Sequence, residues 1–509
     1  MDESVDRGSM KPAMVLIRSV CMLLLPSVLI GCASKSPFDT DSLRFEETFG
    51  FEEDQPFAMT FAANMPSQET LVLTLEKAID MALVANRGLL SVEEHVDVSR
   101  LSLVSAESQF ELKFKPNANA GFGQHSTNGV EEKYGAGLTI DKRFESGTAL
   151  AVTPRVDRVD GGFQSGVDVS LRQPLLLGSN KEYNLSSVNA AEFSLRSSKR
   201  SVFLARVNAV VTTVVMVYRV VQQREVVSLN ELSVARLASL VQATKAKEKI
   251  GIATPIDVLR GEWQYRFALD TLLTANEALG DSLDDLRFQL AVPLDQPLEV
   301  EAPLVYSAFD IKPEEAVSIA LANRVEIDQA YDVYMETRRY ARIAKHNTLP
   351  QLDLVFGYSQ VGVNENLVNN FGLDDHVWNV NLVTTSDLAR TAEHAGYEQS
   401  LIRVTSAKRM FEMQKDDIAR QVKRDIRNVR RSEKRIEIQT EQIKNSEAAM
   451  RLAKIKFNHG LGDNFDLVEA EADLRQAEVE LVSAVVELIV GNYRMRQSLG
   501  TLIERPEGS

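Results

Sequence analysis

HGLGDNFDLVEAEADLRQAEVELVSAVVELIVGNYRMRQSLGTL, residues 459–502, is the stretch that decides the fold. Large apolar side chains recur in it at a strict seven-residue step, and small residues fall between them at steps of three and four. A sustained seven-residue period predicts a coiled-coil helix with a left-handed supercoil. The stepped positions are Leu467, Leu474, Leu481, Leu488, Met495 and Leu502, with Ala470, Ala477, Ala484 and Gly491 between them.

Two glycines, Gly460 and Gly462, precede this helix and follow another helical pattern, so the sequence predicts a helical hairpin with a tight tip. The same arrangement occurs 209 positions earlier without a gap, which indicates an internal duplication. The matching pairs are Gly251 and Gly460, Asp257 and Asp466, Glu262 and Glu471, Ala268 and Ala477, Leu272 and Leu481, Ala275 and Ala484, and Leu279 and Leu488.

Each repeat contains one very long helical pattern before its tip. The two patterns cover residues 179–250 and 386–457, and each predicts a rod of roughly 108 Å at 1.5 Å per residue. Each repeat also opens with two shorter helices. The first of these has Thr74 as its expected N-cap and Asn86 near its end. The second is expected to stop at Pro116 in one repeat and at Pro350 in the other.

After each of these prolines the apolar residues alternate with polar ones, which predicts strands with one apolar and one polar face. This period alone leaves open a half-buried sheet of a water-soluble protein, but a membrane barrel is favoured by the lipidation described below. The first repeat has about 25 additional residues in this region. They predict a further hairpin over 134–158 around Gly147, whose place in a barrel stays open. The alternating runs include Val167, Val169 and Leu171, then Leu352, Leu354, Phe356 and Tyr358, then Trp378, Val380 and Leu382.

The N-terminal segment predicts export and lipidation. An apolar run from Met14 to Ile30 follows Lys11, as in a secretory signal peptide, here residues 1–31. Leu29-Ile-Gly-Cys32 resembles a bacterial lipobox, in which Cys32 would be acylated and become the mature N-terminus. A short transmembrane anchor is the alternative, although 17 residues are marginal for a span. Residues 32–70 are polar and acidic and predict a flexible tether.

Composition excludes several classes of function. The net charge of −15 argues against nucleic acid as a partner, because phosphate binding needs clustered Lys and Arg. The six histidines show no metal-ligand spacing, and there is no phosphate-binding loop or nucleophile elbow. We therefore expect no metal site, no cofactor and no enzymatic activity.

Rods, strand pairs, glycine tips and duplication together resemble the TolC family of bacterial outer membrane channels. The tips are followed by residues 256–259 and 465–468, and residues 172–178 resemble the strand-to-helix junction of the family; residues 382–385, at the second junction, lack its proline. The resemblance implies a mainly α fold with a membrane β part. Duplicated hairpins, in repeats 71–300 and 301–505, would form a periplasmic α-barrel, and each chain of a homotrimer would give four strands to a shared β-barrel.

The resemblance also implies roles for the tips. Acidic residues would narrow the periplasmic mouth, at Asp257, Asp466 and Glu469, although helix capping explains such positions equally well. Relatives hold the mouth shut with Tyr and Arg, where this chain has Phe457 and Gly462. The tips would contact a periplasmic adaptor (membrane fusion) protein through Gly251, Ile252, Ala253, Thr254, Gly460, Leu461 and Gly462.

Two functions fit these expectations. The first is a trimeric exit duct in the bacterial outer membrane, which passively conducts substrates from an adaptor and inner membrane transporter complex, for efflux or type I secretion. The second is a lipoprotein scaffold that spans the periplasm without an open pore. An apolar face on the strands favours the duct. The cargo is not encoded in any motif of the sequence.

Lipidation at Cys32 is the first testable prediction. Cys32→Ser should abolish both palmitate labelling and signal-peptide processing in cells, because the thiol is the acylated group. Cys21→Ser, inside the signal peptide, is the matched control and should leave labelling intact. Labelling that persists in the Cys32 variant would show that the lipobox is not used.

Overall fold

A computed structural model describes residues 70–125, 129–159, 162–306, 311–364, 375–459, 461–462 and 464–505. The predicted signal peptide, the lipobox with Cys32, the tether up to residue 69 and Gly460 lie outside the described residues.

The first half begins with a short strand and two helices, continues with four strands, and ends in a helical hairpin. Thr74 caps the first helix, with its hydroxyl accepting from Lys77 N, and Asn86 closes it, as the sequence predicts. The elements are β1 (Leu71–Thr74), α1 (Leu75–Ala85), α2 (Arg87–Glu107), β2 (Leu112–His125), β3 (Gly129–Arg143), β4 (Ala149–Val159), β5 (Gly162–Pro174), α3 (Lys181–Asn184), α4 (Ser186–Lys249) and α5 (Pro255–Gln289).

The second half repeats this order with two strands in place of four. Its elements are β6 (Leu298–Glu301), α6 (Pro313–Asn323), α7 (Val325–Asn347), β7 (Asp353–Asn364), β8 (Asp375–Val383), α8 (Thr391–Asn458) and α9 (Asn464–Leu499). The short strands β1 and β6, which the sequence analysis did not predict, pair in parallel and join the starts of the two halves.

The long helices are slightly shorter than predicted. Helix α4 has 64 residues and α8 has 68, about 96 and 102 Å at 1.5 Å per residue. In the first half, Asn180 caps the separate four-residue helix α3, so the continuous rod starts at Ser186 instead of residue 179. The expected helix end at Pro116 is wrong, because α2 ends at Glu107 and Pro116 lies inside β2.

The strands β2 to β5, β7 and β8 form one antiparallel sheet in the order β2-β3-β4-β5-β7-β8. The sheet thus contains the four strands implied by the family resemblance together with the two strands of the additional hairpin. The predicted hairpin over 134–158 is present as β3 and β4, and it lies between β2 and β5 in this sheet. Pairing of β3 with β4 skips the positions beside Pro154, which has no N–H to donate.

The predicted coiled-coil seam packs where expected. Ala484, Leu488 and Met495 of α9 are fully buried against α8 residues such as Ile418 and Val422. Nearer the tips, Leu467 and Ala470 pack against Leu237 and Phe457. Within the described residues one helix, α4, is long and apolar enough to cross a membrane. Its buried residues Val210, Val214, Val217, Val220 and Val221 lie in the largest apolar cluster, together with residues of α1, α5 and α9.

Leu488 generates a stability prediction. Leu488→Ala should lower the free energy of unfolding by about 2–5 kcal/mol, because the side chain is fully buried and its removal leaves a cavity. Leu294→Ala, at a leucine that is 62% exposed, should cost less than about 1 kcal/mol. Thermal unfolding of the purified protein in detergent measures both. Equal losses of the free energy of unfolding in the two variants would contradict the assignment of Leu488 to the buried seam.

Candidate functional site: the helical tips and the junction with the sheet

The first tip is closed by backbone hydrogen bonds around one glycine. Gly251 has φ of 75°, the left-handed region that glycine adopts without strain. Its N–H donates to Glu248 O at 2.9 Å, and the N–H of Ile252 reaches back to Lys247 O at 2.9 Å. This pair of bonds is the Schellman cap of a helix C-terminus. It ends α4 sharply and lets α5 start at Pro255.

One hydrogen bond of this cap recurs at the second tip, at the same offset of 209 residues. Leu461 N donates to Lys456 O at 2.9 Å, which corresponds to the bond from Ile252 to Lys247. Gly460, at the position of Gly251, lies outside the described residues. The local hydrogen bonding therefore follows the duplication that the sequence shows.

The two tips are bound to each other within one chain. The Lys247 ammonium donates to Phe457 O and lies 3.5 Å from the centre of the Phe457 ring. Asn464, 2% exposed, donates through Nδ2 to Asp257 O at 3.0 Å. Burial lowers the pKa of Lys247 from its usual value. The contact between Lys247 and Phe457 could not be predicted from the sequence, where Phe457 stands only as the replacement of a family tether.

Asp257 acts as a cap in this structure. One carboxylate oxygen accepts from the Thr254 hydroxyl at 2.6 Å and from the Thr254 N–H at 2.9 Å. These hydrogen bonds hold the pKa of Asp257 below its usual value. The capping interpretation, which the sequence left open, is therefore satisfied at this residue within a single chain.

Asp466 and Glu469 lie in the first turns of α9, three residues apart, and both are exposed. Residues three apart are neighbours on one face of a helix. The tip residues Gly251, Ile252, Thr254 and Leu461 are also exposed, while Ala253 and Gly462 are half-buried. The structure thus places most of the sequence-predicted tip residues, Gly460 excepted, at an accessible end of the two hairpins.

A buried ion pair lies above the tips, at residues to which the sequence analysis assigned no role. Glu471 is 2% exposed and accepts from Arg236 Nη1 at 3.2 Å, which joins α9 to α4. Burial raises the pKa of Glu471, and Arg236 offsets this only in part. Its counterpart by duplication, Glu262, instead pairs with Lys245 at 2.6 Å, and its pKa is lowered. In the sequence, Glu262 and Glu471 are distinguished only by their equivalent positions in the two repeats.

At the opposite end of the rods, the sheet is attached to the helices by bonds between the two halves. Leu175 N donates to Leu352 O at 2.7 Å, and Gly178 N donates to His346 Nε2 at 3.0 Å. Arg172 pairs at 2.5 Å with Asp353, whose side chain is 3% exposed. These contacts lie in the predicted strand-to-helix junction, 172–178, and they fix β5 and β7 relative to α7.

Helical hairpins that end in an antiparallel sheet with one apolar face are an architecture similar to that of outer membrane channels with a helical stalk. In agreement, the second half matches the outer membrane efflux protein family over residues 316–501. No curated protein matches the sequence. Solved structures confirm the fold, and with the family match they confirm the resemblance to the TolC family.

Three such structures illustrate the likeness. VceC of Vibrio cholerae is 13% identical with a TM-score of 0.66, over 84% of this chain and 96% of VceC. CmeC of Campylobacter jejuni, an outer membrane channel, is 13% identical with a TM-score of 0.66, over 85% and 87%. The open state of MtrE of Neisseria gonorrhoeae is 16% identical with a TM-score of 0.64, over 86% and 91%.

The two duplicated glutamates generate opposite pH predictions. A raised pKa in the folded state, as for Glu471, gives stability that is complete below the unfolded pKa, about 4.3, and is lost as the pH rises through the folded pKa. The lowered pKa of Glu262 gives stability that is present above the unfolded pKa and lost as the pH falls.

Glu471→Gln should therefore remove a loss of melting temperature that sets in as the pH rises above the unfolded pKa of the glutamate. Glu262→Gln, the matched control, should remove a loss on the acidic side. Melting curves of both variants and the parent protein from pH 3.5 to 8 test this. Parallel profiles for the two variants would contradict the assignment of the buried charge.

Proposed function

We propose that this chain is the subunit of a homotrimeric outer membrane exit duct, anchored by Cys32, that passively conducts substrates delivered by a periplasmic adaptor and an inner membrane transporter. The observation that supports it most is the sheet. Strands β2 and β8 are its edges, and neither edge is paired within the described residues. Open strand edges are not tolerated in hydrocarbon, so the sheet needs further copies of the chain to close.

The faces of the sheet support a position in the bilayer. Phe114, Phe122, Trp378 and Val380 are each more than half exposed in the single chain, and they alternate with asparagines and lysines along the same strands. Lipid outside and water inside a closed barrel require such an alternation. A scaffold without a pore gives no reason for it.

The tips would form the periplasmic mouth and the docking site for the adaptor. Three copies of the exposed pair Asp466 and Glu469 around one axis would place up to six carboxylates in a narrow opening. Their combined potential would attract cations, because charges in a constriction are poorly screened. Asp257 would contribute less, since its carboxylate is occupied by Thr254.

Single-channel recording in planar bilayers, combined with native mass spectrometry in detergent, tests the duct. We expect discrete conductance steps from a species of threefold mass. A folded species that never conducts would contradict the proposal and favour the scaffold.

Charge selectivity tests the mouth. We expect the parent protein to give a cation-selective reversal potential under a KCl gradient, and Asp466→Asn combined with Glu469→Gln to reduce it strongly. Glu433→Gln, on the long helix α8, is the control and should leave it unchanged. Equal selectivity in all three proteins would show that the two carboxylates do not line the opening.

A further inference from the structure

Hairpin β3–β4 is an integral part of the sheet. Strand β3 pairs with β2 over fourteen positions, from Leu112↔Lys142 to His125↔Gly129. Strand β4 pairs with β5 over eleven, from Ala149↔Arg172 to Val159↔Gly162. Because the hairpin is paired on both sides, β2 and β5 do not pair with each other and are connected in the sheet only through β3 and β4.

The polar face of the hairpin continues the polar face of its neighbours. Asn117 on β2 donates to Thr139 on β3 at 3.3 Å, and Thr153 on β4 lies 3.4 Å from the same hydroxyl. Arg155 on β4 pairs with Asp168 on β5 at 2.7 Å. Asp168 in turn accepts from Ser359 on β7 at 2.6 Å. One row of polar contacts thus crosses five strands on one side of the sheet.

The opposite face of the hairpin is apolar in the same register along its middle part, and Lys142 and Arg158 lie on this face near its two ends. Ile140 of β3 lies opposite Val152 of β4, which lies opposite Val169 of β5. Further along, Leu150 lies opposite Leu171, which lies opposite Phe356 of β7. Because side chains alternate strictly along a strand, a slip of one residue would reverse the faces, and no such slip occurs here. Whatever medium covers the apolar side of β5 and β7 therefore also covers β3 and β4.

From this we infer that all six strands of each chain enter the membrane wall, so that the proposed trimer closes an eighteen-stranded barrel with a lumen of porin width. The inference rests on the proposed trimeric duct. Six is an even number, so β8 of one copy meets β2 of the next antiparallel, as each strand pair within the sheet already does. Barrels of 16 to 18 strands leave an aqueous channel.

The number of strands affects function through the width of the barrel. Barrel diameter grows roughly linearly with strand number, so eighteen strands give about one and a half times the diameter of twelve. The extra hairpin would widen the outer exit while each chain still contributes the same four long helices to the stalk. Large hydrated solutes or polypeptides would then meet no constriction at the bilayer itself.

Cysteine accessibility tests the placement of the hairpin. The mature chain has no cysteine other than Cys32, so the background is low. With a membrane-impermeant charged maleimide on protein in liposomes, we expect Thr139→Cys and Thr153→Cys to react and Ile140→Cys and Val152→Cys to stay protected. The matched pair on β5, Ser170→Cys and Val169→Cys, should give the same contrast. Equal reaction of Val152→Cys and Thr153→Cys would overturn the inference.

Deletion of residues 129–159 tests the width. It removes both strands and leaves residues 126–128 and 160–161 to join β2 to β5, so the antiparallel order is preserved. The largest neutral polymer that enters from the outer side should fall by about one third in diameter. An unchanged polymer limit in a conducting deletion variant would overturn the inference.

The outcomes separate the two proposals. If the parent protein does not conduct, the duct itself fails, whatever the labelling shows. If it conducts as a species of threefold mass but Val152→Cys reacts with the maleimide, the duct stands and the eighteen-stranded barrel fails. Conduction by a species of twofold mass would also refute eighteen strands.

Discussion

The need to satisfy every backbone hydrogen bond in a medium without water is the constraint on which the rest of this structure depends. Within the described residues the edges β2 and β8 of the six-stranded sheet are unpaired, so in the bilayer position proposed above the sheet would satisfy it only when copies of the chain meet edge to edge. In that position the apolar face of the sheet would contact lipid and would not need to pack against a protein core. This explains why the largest apolar clusters lie among the helices and none of their members comes from the six-stranded sheet.

The long helices are under a different constraint. They must stay rigid over about 100 Å although only a few layers of side chains pack between them. They do so with a seam of alternating large and small side chains, in which Ala484 and Leu488 are both fully buried. Ion pairs such as Arg236 with Glu471 supplement the seam between α4 and α9. The pairs differ between the two repeats, so duplicated positions have acquired different electrostatics within one scaffold.

The sequence predicted the elements whose pattern is local. Seven-residue steps located the buried face of α9, and the 209-residue offset predicted two tips whose backbone hydrogen bonds are equivalent. It misplaced the helix end at Pro116, because a proline that breaks a helix is also tolerated in an outermost strand such as β2.

Pairings between distant residues could not be predicted in the same way. The parallel pairing of β1 with β6 and the contact of Lys247 with Phe457 join residues more than 200 positions apart. A single sequence has no period or spacing that reveals such contacts. The position of hairpin β3–β4 in the sheet could not be predicted for the same reason. Alternation of apolar and polar residues specifies the two faces of a strand and leaves its neighbouring strands undetermined.

The contacts of Lys247 and Asn464 have a mechanical consequence. Each contact joins the end of one hairpin to the end of the other, so we expect the lower parts of the two hairpins to move together. A force applied to either tip is transmitted to its companion with little relative displacement inside the chain. In the proposed assembly, a widening of the opening would therefore change the boundaries between neighbouring copies more than the contacts inside each copy.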